Sequence, residues 1–207
     1  MINLLKKQIL FLLIVLSFSA QAITLEKTEI NLDSPWGMTW LDDNHLLITQ
    51  KSGEIFMVNT QDYSQTLIKH NIPSVQYGQG GMLDIMSNEN NVWVTCSIEK
   101  DGKYTTAIYY AELFGDSLIN EKMIYEALPY IKSPYHFGSR LELKGDYLYA
   151  SIGERGEGMI AQDPTNSIGA IIRIHKNGDI PDDNPYIDNP KWLPEIYQIG
   201  VRNPQGM

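Results

Sequence analysis

The sequence predicts an all-β fold, a β-propeller made of four-stranded blades. Three observations carry this. The apolar runs are short and are cut by Gly, Asn, Asp and Pro, the signature of strands rather than amphipathic helices. A unit of strand, tight polar turn and strand occurs three times. Finally, Gly37, Gly81, Gly138 and Gly206 stand at the heads of successive units, 44, 57 and 68 residues apart. Periods that start in the forties and are lengthened by loop insertions are those of propeller blades.

Taken from the N-terminus, Met1 to Ala22 has the layout of a secretory signal: Lys6 and Lys7, the apolar run Ile9 to Phe18, then Ala20-Gln21-Ala22 as a small-x-small cleavage site. Ten apolar residues fall short of the ~20 needed to span a bilayer. The expectation is therefore export, cleavage after Ala22, no stable membrane insertion and a periplasmic product, with the propeller portion occupying 23–207. The three repeated units are Trp40-Leu41 with Leu46 to Thr49, Asp84-Ile85 with Val92 to Thr95, and Leu141 to Leu143 with Tyr147 to Ala150. Lys122 to Leu128 reads either as a helical turn or as an outer strand. Runs apolar on both faces, Glu54 to Val58 and Ala170 to Ile174, fit sheets covered on both sides by neighbours. The count is three blades and the first residues of a fourth. Since closure takes roughly 4 to 8 blades, the sequence is expected to be the N-terminal part of a longer protein. A β-sandwich with coincidental glycine spacing is the competing architecture.

Composition narrows the function. The net charge is −9, from 25 acidic and 16 basic residues, and it becomes −11 once the leader lysines are removed. Such a chain offers no phosphate-neutralising surface, so nucleic acid is not an expected partner. The single cysteine, Cys96, excludes an intrachain disulfide and reads as a core thiol. Of the four histidines, His45, His70 and His175 fall in or beside turns and are expected to face solvent. His136 differs, standing at the head of an innermost strand, where side chains face the propeller axis and an imidazole can accept a proton. The heads of the other blades supply Gln79, and Arg202 with Asn203. A cation, an imidazole and two amides around one pocket suit an anionic or quinonoid ligand with a polyol. Phosphoryl transfer lacks its P-loop, and neither a Rossmann fingerprint nor a Gly-x-Ser-x-Gly elbow is present. The acidic loop Asp179 to Pro185 has calcium-type oxygens without EF-hand spacing, and it reads as a turn. Gly153 to Glu157 is expected to be a charged turn.

These segments carry a resemblance. Pro35-Trp36-Gly37-Met38, Gly78-Gln79-Gly80-Gly81, His136 to Leu141, Ile152 to Gly156, Ala161-Gln162-Asp163, Ile180 to Tyr186 and Gly200 to Met207 resemble, in order, the motifs of the soluble glucose/sorbosone dehydrogenases, closest to the bacterial aldose sugar dehydrogenases. The resemblance implies a six-bladed propeller and pyrroloquinoline quinone (PQQ) as cofactor. It also implies Ca2+ held by residues beyond Met207, an aldose substrate oxidised at the anomeric hydroxyl, and an external electron acceptor. It implies that His136 is the general base, that Gln79 contacts quinone and sugar, and that Arg202, with Asn203 beside it, stabilises charge on the quinone oxygen. Tyr135 stands where the glucose dehydrogenase branch has an Asp, which leaves the carboxylate partner of His136 unassigned. A non-catalytic propeller fragment or interaction module is the alternative. A metal-dependent lactonase is weaker, because no set of axial carboxylates is evident.

Overall fold

The computed structural model describes residues 23–25 and 27–207; the leader Met1 to Ala22 lies outside them. Among the described residues there are twelve strands and one 3₁₀ turn, Gly158–Gln162. Among these residues no helix is long and apolar enough to cross a membrane.

The strands form three four-stranded antiparallel meanders in sequence order. The first contains β1 (Pro35–Trp40), β2 (His45–Gln50), β3 (Ile55–Asn59) and β4 (Gln65–Ile68). The second contains β5 (Met82–Asn88), β6 (Asn91–Lys100), β7 (Lys103–Phe114) and β8 (Ser117–Glu126). The third contains β9 (Gly138–Lys144), β10 (Tyr147–Ile152), β11 (Ala170–His175) and β12 (Ile196–Ile199). Lys122 to Glu126 is thus outer strand, not helix. The long interval before the last glycine is an insertion between β11 and β12, which carries the acidic loop.

The sheets stack face to face. Side chains alternate across a strand, and β6 uses both of its faces. Val92, Val94 and Cys96 enter a core with Leu47, Ile55 and Ile68 of the first blade, whereas Trp93 enters a second core with Leu148, Ile172 and Ile174 of the third. Burial on both faces explains why these strands read as continuous apolar runs. Cys96 is fully buried, as expected.

The first strands β1, β5 and β9 lie side by side as the innermost strands, and each meets its second strand through a register shift at the same end: Pro35/Met38, Met82/Ile85 and Ala150/Ile152. Such bulges bend a strand and re-aim its side chains. A hydroxyl on the second strand satisfies the freed N–H each time. Gly37 N donates to Thr49 Oγ1 at 2.9 Å, Asp84 N to Thr95 Oγ1 at 2.8 Å and Arg140 N to Ser151 Oγ at 2.9 Å.

This register corrects the glycine alignment. The blade-to-blade equivalents of Gly37 are Asp84 and Arg140, not Gly81 and Gly138. Gly37 is needed because a Cβ there would lie 2.8 Å from the Asp84 Cα, so any side chain would push the two inner strands apart. Gly206 lies in irregular chain after β12 with open space around it, and does not head a strand among the described residues.

Candidate active site

Four segments meet at the bulged end of the blades: Tyr77 to Gly81 before β5, Pro134 to Phe137 before β9, Gly153 to Glu157 after β10, and Arg202 to Gln205 after β12. Backbone bonds knit them. Gln79 N donates to Pro134 O at 2.8 Å, Gly153 N to Phe137 O at 3.0 Å and Glu154 N to Arg202 O at 2.8 Å. Residues far apart in sequence are therefore fixed relative to one another by main chain before any side chain is considered.

His136 sits among them with φ at 50°, a left-handed conformation that costs a non-glycine residue of order 1–3 kcal/mol and persists only where the surroundings impose it. Its N–H donates to Gln79 Oε1 at 2.8 Å. Its carbonyl accepts from the Arg155 backbone at 3.3 Å and from Arg155 Nη1 at 2.7 Å. The imidazole is 15% exposed, and its Nδ1 is hydrogen-bonded to Glu154 Oε1, a side chain only 3% exposed. Glu154 Oε2 accepts from Gly158 N. Burial alone would raise the Glu154 carboxyl, but the bonds from His136 and from the Gly158 amide outweigh it and hold the carboxyl below its ordinary value. An ionised carboxylate at Nδ1 makes that nitrogen the donor and leaves Nε2 with its lone pair, the tautomer a base requires.

The other expected residues converge here in differing ways. Gln79 is exposed, with its carbonyl oxygen on the His136 N–H. Asn203 Oδ1 accepts from Gly138 N at 3.1 Å and from Gln205 Nε2 at 3.0 Å. Arg202 is 80% exposed, and its Nε is 3.9 Å from Glu154 Oε1, a loose approach that leaves most of the guanidinium free. Gln79, Asn203, Lys51 and Trp36 help to wall a cleft of about 210 Å³. His136 is not in that wall but is tied to it through Gln79 and Phe137.

Sequence reasoning missed three groups. Glu154 and Arg155, expected only to form a charged turn, are 2% and 0% exposed and grip His136 from two sides. Glu154 supplies the carboxylate that position 135 lacks; Tyr135 is 55% exposed. The third group is Arg140, whose Nη1 bonds Asp84 Oδ1 at 3.0 Å while its guanidinium stacks 4.5 Å over Trp36. The available signal was a glycine-bounded acid–base pair placed directly after β10, the apolar second strand of its blade. The structure thus has two axial carboxylates, Asp84 and Glu154, each engaged by protein cations or an imidazole.

The remaining expectations lie elsewhere. His45, His70 and His175 are partly buried rather than solvent-facing, because each is held locally. His45 Nδ1 bonds Asp42, His70 Nε2 bonds Gly53 O at 2.9 Å, and the His175 ring packs 5.4 Å from that of Tyr147. In the acidic loop, Asp183 and Asn184 hold Arg173, and no cluster of three metal-ligating side chains occurs among the described residues.

Comparison with known proteins places the fold in a family. The glucose/sorbosone dehydrogenase family model matches residues 32–207. The aldose sugar dehydrogenase YliI of Escherichia coli is 33% identical over 196 residues, covering 89% of this chain and 53% of that protein. Quinoprotein glucose dehydrogenase B of Acinetobacter calcoaceticus is 26% identical over 214 residues, 86% of this chain and 44% of that protein. The chain thus spans about half the length of these relatives. The apo crystal structure of the soluble E. coli aldose sugar dehydrogenase superposes with a TM-score of 0.79 at 33% identity, over 85% of this chain and 54% of that one. A glucose dehydrogenase crystal structure gives 0.82 at 26% identity, over 87% and 56%. The PQQ-bound aldose sugar dehydrogenase of Streptomyces coelicolor shares the fold, at 0.72 and 24% identity over 87% and 55%. The three sheets are propeller blades, and the chain belongs to the glucose/sorbosone dehydrogenase family, whose relatives are sugar-oxidising dehydrogenases.

Proposed function

We propose that the protein is an exported, periplasmic, PQQ-dependent aldose dehydrogenase that oxidises the anomeric hydroxyl to a lactone. The observation that carries this reading is the His136–Glu154 pair. The carboxylate fixes the Nδ1–H tautomer, leaving Nε2, which has no hydrogen-bond donor among the described residues, to take the hydroxyl proton. The imidazolium so formed stays paired with a buried carboxylate, which lowers the cost of charging it.

The donor set fits the quinone. PQQ is a planar polyanion; Lys51 supplies a cation and Gln79 and Asn203 supply amides on one cleft, and Arg202 adds a largely exposed cation beside Glu154. Those residues would hold and orient it, with Ca2+ and further cationic contacts contributed from beyond residue 207. When bound, the quinone accepts the hydride equivalent. Arg202, largely free of internal partners, can turn toward negative charge developing at the cleft. Gln79 has two roles: its carbonyl oxygen holds the His136 backbone while its amide N–H groups remain available for quinone or sugar. An external acceptor then takes the electrons. The leader Met1 to Ala22 supports periplasmic delivery after cleavage at Ala22.

The test is dye reduction by the full-length protein, reconstituted with PQQ and Ca2+, across a panel of aldoses, with lactone identified as product. Quinone-dependent turnover of at least one aldose is expected. No turnover with any sugar would overturn the proposal.

A further inference from the structure

Arg155 is the largest fully buried side chain among the described residues, and the chemistry above makes no use of it. A guanidinium is costly to remove from water unless its N–H groups find acceptors. Here Nη1 donates to the carbonyl oxygens of His136, at 2.7 Å, and Gly153, at 3.2 Å, while Nη2 donates to Thr106 Oγ1 on β7 at 2.5 Å. The guanidinium lies 4.2 Å over the Phe137 ring, and Nε has no hydrogen-bond partner among the described residues. Burial pushes the group down to about 9, with Glu154 acting in the opposite direction, so it remains cationic at neutral pH.

Three side chains, Gln79, Arg155 and Glu154, converge on His136. Both backbone polar groups of His136 are held by side chains, the N–H by Gln79 and the carbonyl by Arg155, and its φ of 50° is one that few non-glycine residues adopt. Glu154, adjacent in sequence to Arg155, holds the ring. Through Thr106 the guanidinium also ties this assembly to the second blade. Gly153 completes the socket, since any Cβ there would overlap the His136 carbonyl.

We propose that Arg155 is a positioning residue. It fixes the left-handed His136 peptide, and with it the direction of the imidazole, so that Nδ1 stays on Glu154 and Nε2 on the substrate side. A planar, donor-only fork that reaches two carbonyls and a hydroxyl at once is needed for this, and lysine, a single point charge, provides only part of it. The proposal rests on His136 acting as the base.

The test uses the full-length, quinone-loaded protein and the variants R155M, R155K and R173M. Arg173 is the matched control, a buried arginine of the same blade, held by Asp183 and Asn184 and stacked on Tyr147. Melting temperature, kcat, KM and the His136 Nδ1–H proton resonance, assigned with H136Q, are read on each. R155M is expected to lower kcat about 10²-fold, the scale of a small misplacement of a reacting group, with KM little changed and the Nδ1–H signal shifted or lost. R155K is expected to fold and to recover part of kcat, remaining about tenfold low. R173M should lose stability yet keep kcat and the signal. Wild-type kcat and signal in R155M overturn the proposal, as does an equal kcat loss in R173M. If R155M does not fold, R155K decides, and unchanged kcat and signal there overturn it. If the wild type oxidises no aldose, the function above fails, and the resonance alone then decides whether Arg155 positions His136.

Discussion

At the level of single residues, His136 concentrates the strain of the site and the means of sustaining it. A left-handed backbone costs about 1–3 kcal/mol, and a hydrogen bond from a charged group returns about 1.5–3 kcal/mol, so the grips of Arg155 and Glu154 suffice to hold it. In the full-length protein His136→Gln keeps the size of the side chain while removing the proton acceptor. Turnover should fall ~10²- to 10⁴-fold with quinone affinity little changed, measured by steady-state kinetics and quinone titration on one preparation. Near-normal turnover in folded H136Q would refute the base assignment. Cys96 is the opposite kind of residue, buried and without chemistry. Its Sγ lies 3.2 Å from Pro73 O, and burial pushes its thiol up to about 12. At pH 8 the native protein should leave a thiol reagent unreacted and should titrate one thiol after denaturation; prompt reaction without unfolding would contradict this.

Among the elements, the innermost strands are locked by charge as well as by packing. Asp84 on β5 is 3% exposed and reaches across to β9, accepting from Arg140 Nη1 and, through Oδ2, from Leu141 N at 2.8 Å. Gly37 on β1 leaves room for it on the other side. Burial raises the Asp84 carboxyl, and the Leu141 amide and Arg140 offset that only in part. Asp84→Ala would strand a buried N–H and leave Arg140 without its carboxylate, a loss of about 3 kcal/mol. The denaturant midpoint should fall accordingly with the m-value unchanged, and a midpoint equal to wild type would show that the pair is dispensable. Each bulge, with its hydroxyl cap from Thr49, Thr95 or Ser151, was invisible in the sequence because it depends on which residues of two strands face each other.

At the level of the whole molecule, acid sensitivity follows from several carboxyls together. Glu154 is depressed as described above. Asp42 is held low by the Asn44 amide and His45, Asp116 by Lys69 and Ser117, and Asp163 by the Thr165 hydroxyl and amide. A carboxyl whose folded value lies below its unfolded one adds stability above the unfolded value, near 3.8 for Asp and 4.5 for Glu, and that stability is lost as pH falls through the folded value. Asp84 acts with the opposite sign: its raised value favours folding at low pH, and the advantage is lost as pH rises through it. The depressed group is the larger, so the melting temperature should hold near neutrality and drop below about pH 4.5. Glu154 should dominate, because the three aspartates are exposed and screened. A melting temperature that stays level or rises down to pH 3 would contradict this balance.

The sequence by itself determined the all-β class and the three blades, and it named the four residues now proposed for the site. Those rest on local facts: apolar runs of strand length, turn residues between them, and a recurring period that any chain of stacked sheets must show. The histidine singled out by its place at a strand head is the one the fold grips most closely. Only the tertiary structure decided what surrounds it. Glu154 and Arg155 read only as a charged turn because a charged pair between glycines looks the same whether the turn faces water or the propeller axis. Asp84 and Arg140 became partners because β5 and β9 run side by side, 56 residues apart in sequence. Burial of a charge is a property of everything packed around it, and strand alternation fixes only which way a side chain points, not what meets it there.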